Sequence, residues 1–189
     1  MKALAAVYAA LLAVMCLSSC AGASQQHSTS AAQSASEADH NDTDLSFAGK
    51  MVTHHEQTVE MALLVPTNTK NQQLIGLANR IYASQLSEVQ AFRSFLMKWS
   101  DAAGRDTAGQ GSPAAGMVAK TTIDELTSMS GPEFDRLWLT SMIDHHRGAI
   151  TMAHDEVAHG RNSDVIYLAR SIISSEQPEI GQMNQMLGG

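Results

Sequence analysis

The chain has 189 residues, with 19 acidic against 12 basic side chains and a formal charge of −7 at neutral pH. That balance, without any basic stripe interleaved with aromatics, argues against nucleic acid as a partner. The two cysteines, Cys16 and Cys20, both lie near the start, so no disulfide or thiolate metal site is expected in the rest of the chain.

Lys2 and the apolar run 3–17 are too short for a comfortable membrane span and predict a signal segment over residues 1–19. The run ends in Leu17-Ser18-Ser19-Cys20, which looks like a bacterial lipoprotein signal with Cys20 as the lipid-bearing first residue. The expected location is the extracytoplasmic side of a membrane, anchored through the lipid on Cys20. Residues 20–43 are rich in Ser, Ala and Gln and read as a flexible tether, in which His27 and His40 are expected to be solvated. Residues 44–189 remain as one domain, long enough for a real core.

Four long helical patterns occupy that domain. The first runs from about 44 to 65, where Pro66 is expected to stop it, and the second from about 71 to 98. A Gly/Ala/Ser/Pro-rich connection, 100–119, follows, with a short helical piece near 122–129. The third helix is expected to begin at Ser130-Gly-Pro-Glu133, which has capping-box spacing, and to end at Gly160. The fourth runs from about 163 to 187 and carries Pro178, which predicts a kink.

The first and third helices repeat each other at an offset of 91 residues. One reads Met51-Val-Thr-His54-His55 and then Met61-Ala62; the other reads Met142-Ile-Asp-His145-His146 and then Met152-Ala153. The register persists through Leu77/Leu168, Ala78/Ala169, Ile81/Ile172 and Glu88/Glu179. At helical spacing, both His pairs fall on the shoulders of an apolar face. His154 falls off that face and is expected to be solvated; His159 is marginal. In the second and fourth helices, Gln85 and Glu88, and Glu176 and Glu179, interrupt an apolar stripe. A carboxylate there is costly without a partner, and the inward imidazoles are the natural ones. Two such hairpins joined by a long crossover predict an all-α, antiparallel four-helix bundle of ferritin-like type.

With its repeated Met-x2-His-His-x5-Met-Ala, followed by Ala-x2-Ile-x6-Glu, residues 44–188 resemble the bacterial family called domain of unknown function 305. The resemblance implies a ferritin-like four-helix fold, mostly in exported proteins, and copper binding outside the cytoplasm where a role has been attached. The family motif falls on Met51, His54, His55 and Met61, and again on Met142, His145, His146 and Met152. The copies differ at Glu56-Gln57-Thr58 against Arg147-Gly148-Ala149, which suggests halves that bind unequally.

Imidazole suits several transition metals, but thioether sulfur favours Cu(I) and adds little for zinc. Four His and four Met therefore favour copper, as one site or two pseudo-symmetric ones, with Glu88 and Glu179 as further ligands or as partners of the imidazoles. Met183 and Met186 are better explained by packing. Iron is the weaker alternative: a di-iron oxidoreductase wants Glu-x-x-His on two helices, and Met51 and Met142 occupy the Glu positions. A bundle without metal, whose buried His–Glu network only fixes register, is the third reading. No nucleophile–base pair or phosphate loop occurs, so no enzyme activity is expected. The protein partner is left open.

Overall fold

The computed structural model describes residues 39–103 and 114–188. The leader, Cys20 and His27 lie outside the described residues. Five helices follow in order: α1 (Asp42–Asn68), α2 (Gln72–Ala103), α3 (Lys120–Ser128), α4 (Gly131–His159) and α5 (Ser163–Gly188). None of them is long and apolar enough to cross a membrane.

Three expectations are corrected, two of them at helix ends. A reciprocal capping box forms at α1: Asn41 Oδ1 accepts from the Asp44 N–H at 3.0 Å, and Asp44 Oδ2 accepts from the Asn41 N–H at 2.6 Å. At Ser130, where the spacing predicted one, no side-chain cap bond is made; Gly131, at φ 66°, and a proline in the first turn make the entry to α4 instead. α1 also continues past Pro66 to Asn68. Proline removes one i→i−4 bond, and in the last turn little helix remains for that loss to break. Pro178 likewise sits inside α5 without ending it.

His40 is the third correction. Its ring stacks on Trp99, with centroids 4.4 Å apart and planes 13° from parallel, and bonds Asp39 at 3.0 Å. The packed domain thus begins a few residues before Asp44, because an aromatic face was available to an imidazole that was expected to be solvated.

α1 packs along α2 and α4 along α5, and the hairpins meet mainly through α1 and α4. Those two run antiparallel: Trp138 Nε1 donates to the Met61 carbonyl at 2.9 Å, and His54 lies against His145. The apolar core has two parts. Met61, Leu74, Ile81, Trp138, Met142 and Met183 belong to one, and Phe47, Met51, Phe92, Val165 and Ile172 to the other. Each long helix passes from one part to the other through a short polar stretch: His54 and His55, Gln85 and Glu88, His145 and His146, Glu176 and Glu179. Together those stretches form a polar layer between two apolar ends.

The connections are tied by repeat mates. Asn71 accepts from the Gln73 and Leu74 N–H groups at the start of α2, and Asn162 from Asp164 and Val165 at the start of α5. Asp135 accepts from Asn71 Nδ2 at 3.0 Å, while buried Asp44 accepts from the Asn162 N–H at 2.9 Å. Beside Asp44 lies Glu156, fully buried at the position of Val65 in the first copy. Burial, reinforced by the Asp44 carboxylate, pushes its carboxyl up to about 8.

Candidate metal centre

α1 and α4 bring their His pairs to the point where they cross. His54, His55, His145 and His146 have no solvent exposure. The His54 and His145 rings lie 3.7 Å apart at 37°, and the His54 and His55 rings 6.1 Å apart. Burial, then the neighbouring imidazole of His55, pushes His54 down to about 3. Burial and then His54 hold His145 well below the ordinary histidine value. Both rings are therefore neutral at pH 7, each keeping one lone-pair nitrogen.

For His54 the hydrogen bond shows which nitrogen that is. His54 Nε2 lies 3.1 Å from the Ala115 carbonyl; a carbonyl only accepts, so Nε2 carries the proton and Nδ1 the lone pair. His55 Nε2 lies 2.8 Å from Glu88 Oε2, and His146 Nε2 3.0 Å from Glu179 Oε2. The Glu179 carboxylate accepts from the His146 Nε2–H, while Glu88 only stands close to Nε2 of His55. His145 Nδ1 is bonded to the Thr58 hydroxyl at 3.2 Å. Nδ1 of His54, His55 and His146 and Nε2 of His145 are buried without a hydrogen-bond partner, and His55 Nε2, although close to Glu88, is not aligned for a hydrogen bond either. Buried ring nitrogens without a partner are rare in folded interiors. Imidazoles whose other nitrogen is fixed by a carbonyl, hydroxyl or carboxylate are what metal ligation uses. The donor set therefore fits a metal ion.

The thioethers flank this layer. Met51 and Met142, one turn before each His pair, are fully buried, as is Met61. Met61 and Met142 belong to the core on one side of the layer, Met51 and Met152 to the core on the other. Met152 alone among the eight is only partly buried. Among the described residues, no three His, Cys, Asp or Glu side chains are gathered around one point as a metal would need. His154 is exposed, and His159 is an exposed partner of Asp155 at 2.9 Å.

Several partners had no sequence signal beyond the mismatch between the copies. Gln57 holds the crossover through both amide atoms, donating to the Val118 carbonyl at 3.0 Å and accepting its N–H at 2.8 Å. Its repeat mate is Gly148, where a Cβ would come within 2.1 Å of the Ala115 carbonyl oxygen. Gly116, at φ 81°, lies against the Asp144 and His145 carbonyls. The described part of the crossover, 114–119, thus lies against α1 and α4 beside the His layer, and the departure Gln57/Gly148 accommodates it. A second buried contact joins repeat mates: Gln85 Nε2 donates to Glu176 Oε1 at 3.0 Å. Burial first, then Glu88 and Glu179, pushes the Glu176 carboxyl well above its ordinary value.

The sequence profile of the family described as domain of unknown function 305 (DUF305) matches residues 44–187. Similar solved structures include a DUF305 protein from Streptomyces coelicolor, at 27% identity and TM-score 0.69 over 77% of this chain and 92% of that one. A DUF305 fragment from Deinococcus radiodurans aligns at 25% identity and TM-score 0.70, over 78% and 97%. CopM in its Cu(I)-bound form aligns at 25% identity and TM-score 0.62, over 76% and 94%. CopM has also been solved in silver-bound, Cu(II)-bound and apo forms. Comparison with curated proteins found no match.

Proposed function

The chain belongs to the DUF305 family, and on that footing we propose that it binds copper outside the cytoplasm, sequestering Cu(I) or handing it on. The observation that carries this reading is the set of four buried imidazoles, each with at least one unpartnered ring nitrogen, in a layer with methionines on both sides. A neutral imidazole together with a thioether is a soft donor pair that suits Cu(I) better than zinc or iron. The likeness to CopM, solved with Cu(I), Cu(II) and silver, supports the same choice.

The ligands in this reading are His54, His55, His145 and His146, with Met51, Met61, Met142 and Met152. Glu179 orients His146 through Nε2, and Glu88 stands beside Nε2 of His55. Such a set does not need three nitrogen or oxygen donors around one point, because sulfur completes it. The di-iron alternative is disfavoured by the same geometry: Glu88 and Glu179 already lie against imidazoles, and Glu176 is buried and accepts from Gln85. A purely structural polar core is disfavoured because it would leave these ring nitrogens unsatisfied. We read the protein as a binder rather than an enzyme. A lipid on Cys20 at the end of the 20–43 segment would hold the domain at the outer face of a membrane; the Leu-Ser-Ser-Cys pattern supports this.

The test is metal analysis after anaerobic loading with Cu(I) in competition with Zn(II) and Fe(II). Retention of Cu(I) is the expected result. Retention of iron, with an oxygen-dependent optical change, would move the assignment to a di-iron protein. Retention of no metal would return the His layer to a structural role.

A further inference from the structure

An ion bound at the His layer has to reach it, and seven of the eight proposed ligands are sealed. The exception is Met152, which lies in the wall of a surface groove of about 500 Å³ between α1 and α4. Asp42, Thr43, Ser46, Lys50 and Asp155 also line this groove. Below it, Met152 packs against the apolar cluster that contains fully buried Met51. Met51 stands one helical turn from His54 and His55 on the same helix. Met152 and Met51 thus share one apolar cluster, with the groove at its outer side and the His pair one turn further along α1.

The internal repeat supplies a comparison within the same molecule. Met61 is the mate of Met152, yet it has no exposure. The positions that surround Met152 as Thr43, Ser46 and Asp155 are, around Met61, Phe134, Leu137 and Leu64. Phe134 belongs to the same buried cluster as Met61, and Leu137 and Leu64 pack against that cluster. α3 adds Ile123 and Leu126 to the same end. One end of the pseudo-symmetric core is closed by bulky apolar side chains; at the other, small and polar residues stand in the same positions and leave a thioether in reach of water.

Resting on the copper reading above, we propose that the groove beside Met152 is the port through which Cu(I) enters. The Met152 thioether takes the ion first and passes it inward by ligand exchange to Met51 and the His layer. No oxidation or reduction is involved; one donor replaces another on the same ion. Lys50 opposes the approach of a cation, while Asp42 and Asp155 favour it, so the route depends on sulfur access rather than on the groove's charge. A soft ligand at the mouth selects a soft ion before it reaches imidazoles that many metals share.

The port is tested by the rate of loading, read by stopped-flow absorbance as the purified protein takes Cu(I) from a chromophoric chelator. Ser46→Leu with Asp155→Leu gives this groove residues of the sealed end's kind without touching a proposed ligand. Loading is expected to slow by at least about tenfold, with the final stoichiometry unchanged and the equilibrium affinity held within about twofold. Met152→Leu in the open groove should also slow loading. Should the double variant fail to fold by circular dichroism, Ser46→Leu alone carries the test. A closed groove that loads at the wild-type rate, from a wild type that binds copper, overturns the port and leaves the copper reading standing. Wild-type loading speed in Met152→Leu overturns the thioether's part in it. A wild type that takes up no Cu(I) overturns both.

Discussion

The imidazoles of His54 and His145 lie 3.7 Å apart, although the residues occupy the same position in two copies of one repeat. The contact places the pseudo-twofold axis of the bundle through the His layer. Gln85 and Glu176, also repeat mates, meet at 3.0 Å in the same way. A duplicated helical hairpin that pairs with its own copy brings such residues face to face. The layer is therefore built by symmetry and modified by the few positions at which the copies differ.

Replacing the stacked pair separates the metal reading from a structural one. His54→Gln with His145→Gln is expected to lower Cu(I) affinity at least about 100-fold while leaving metal-free stability almost unchanged. Both rings are neutral in the folded state, and an amide can still donate to the Ala115 carbonyl. Competition titration and thermal melts of the apo protein measure the two effects. A variant that melts early while its folded fraction binds copper normally would remove these residues from the site.

Gly148→Ala should destabilise the protein by about 2–4 kcal/mol, because backbone rather than a movable side chain stands in the way of the new methyl. The Ala115 carbonyl lies 2.1 Å from where that Cβ would be. Gly181→Ala, on α5 with nothing within 4 Å, is the control and should stabilise by about 0.5–1 kcal/mol. Urea midpoints at constant m-value decide between these outcomes. Equal effects at the two sites would show that the crossover is not held against α4.

Glu156 gives stability a pH dependence of known sign. Its folded value is raised from 4.5 to about 8, so the folded protein holds a proton that the unfolded chain releases. The contribution is complete below 4.5 and is lost as pH rises through about 8. Glu156→Gln should therefore raise Tm by about 5 °C at the alkaline end of that window and give no gain at the acid end. Parallel melting curves for variant and wild type across the window would contradict the assignment.

The axial contact between Gln85 and Glu176 tolerates one carboxyl. Gln85→Glu would face two of them across a buried 3.0 Å contact and should cost about 2–3 kcal/mol at neutral pH. In mild acid, where both are protonated, the loss should shrink. Chemical denaturation at two pH values tests this. A loss independent of pH would point to packing rather than charge.

The sequence alone revealed the duplication, the all-α bundle, the inward His pairs and the flanking methionines. These depend on helical period and on an exact repeat, both of which are properties of the chain read in order. It also marked Glu88 and Glu179, because a carboxylate in an apolar stripe needs a partner. What it left open was every relationship that depends on how the copies meet. The stacking of His40 on Trp99, the clamp of Gln57 on Val118 and the closeness of Gly148 to Ala115 join residues from separate elements. Two repeats fix which residues can be equivalent. Only the crossing of α1 over α4, with residues 114–119 laid against it, decided which nitrogens are bonded, which are left free and which methionine reaches solvent. Side-chain contacts of this kind arise when faces are brought together in space, and no local period encodes them.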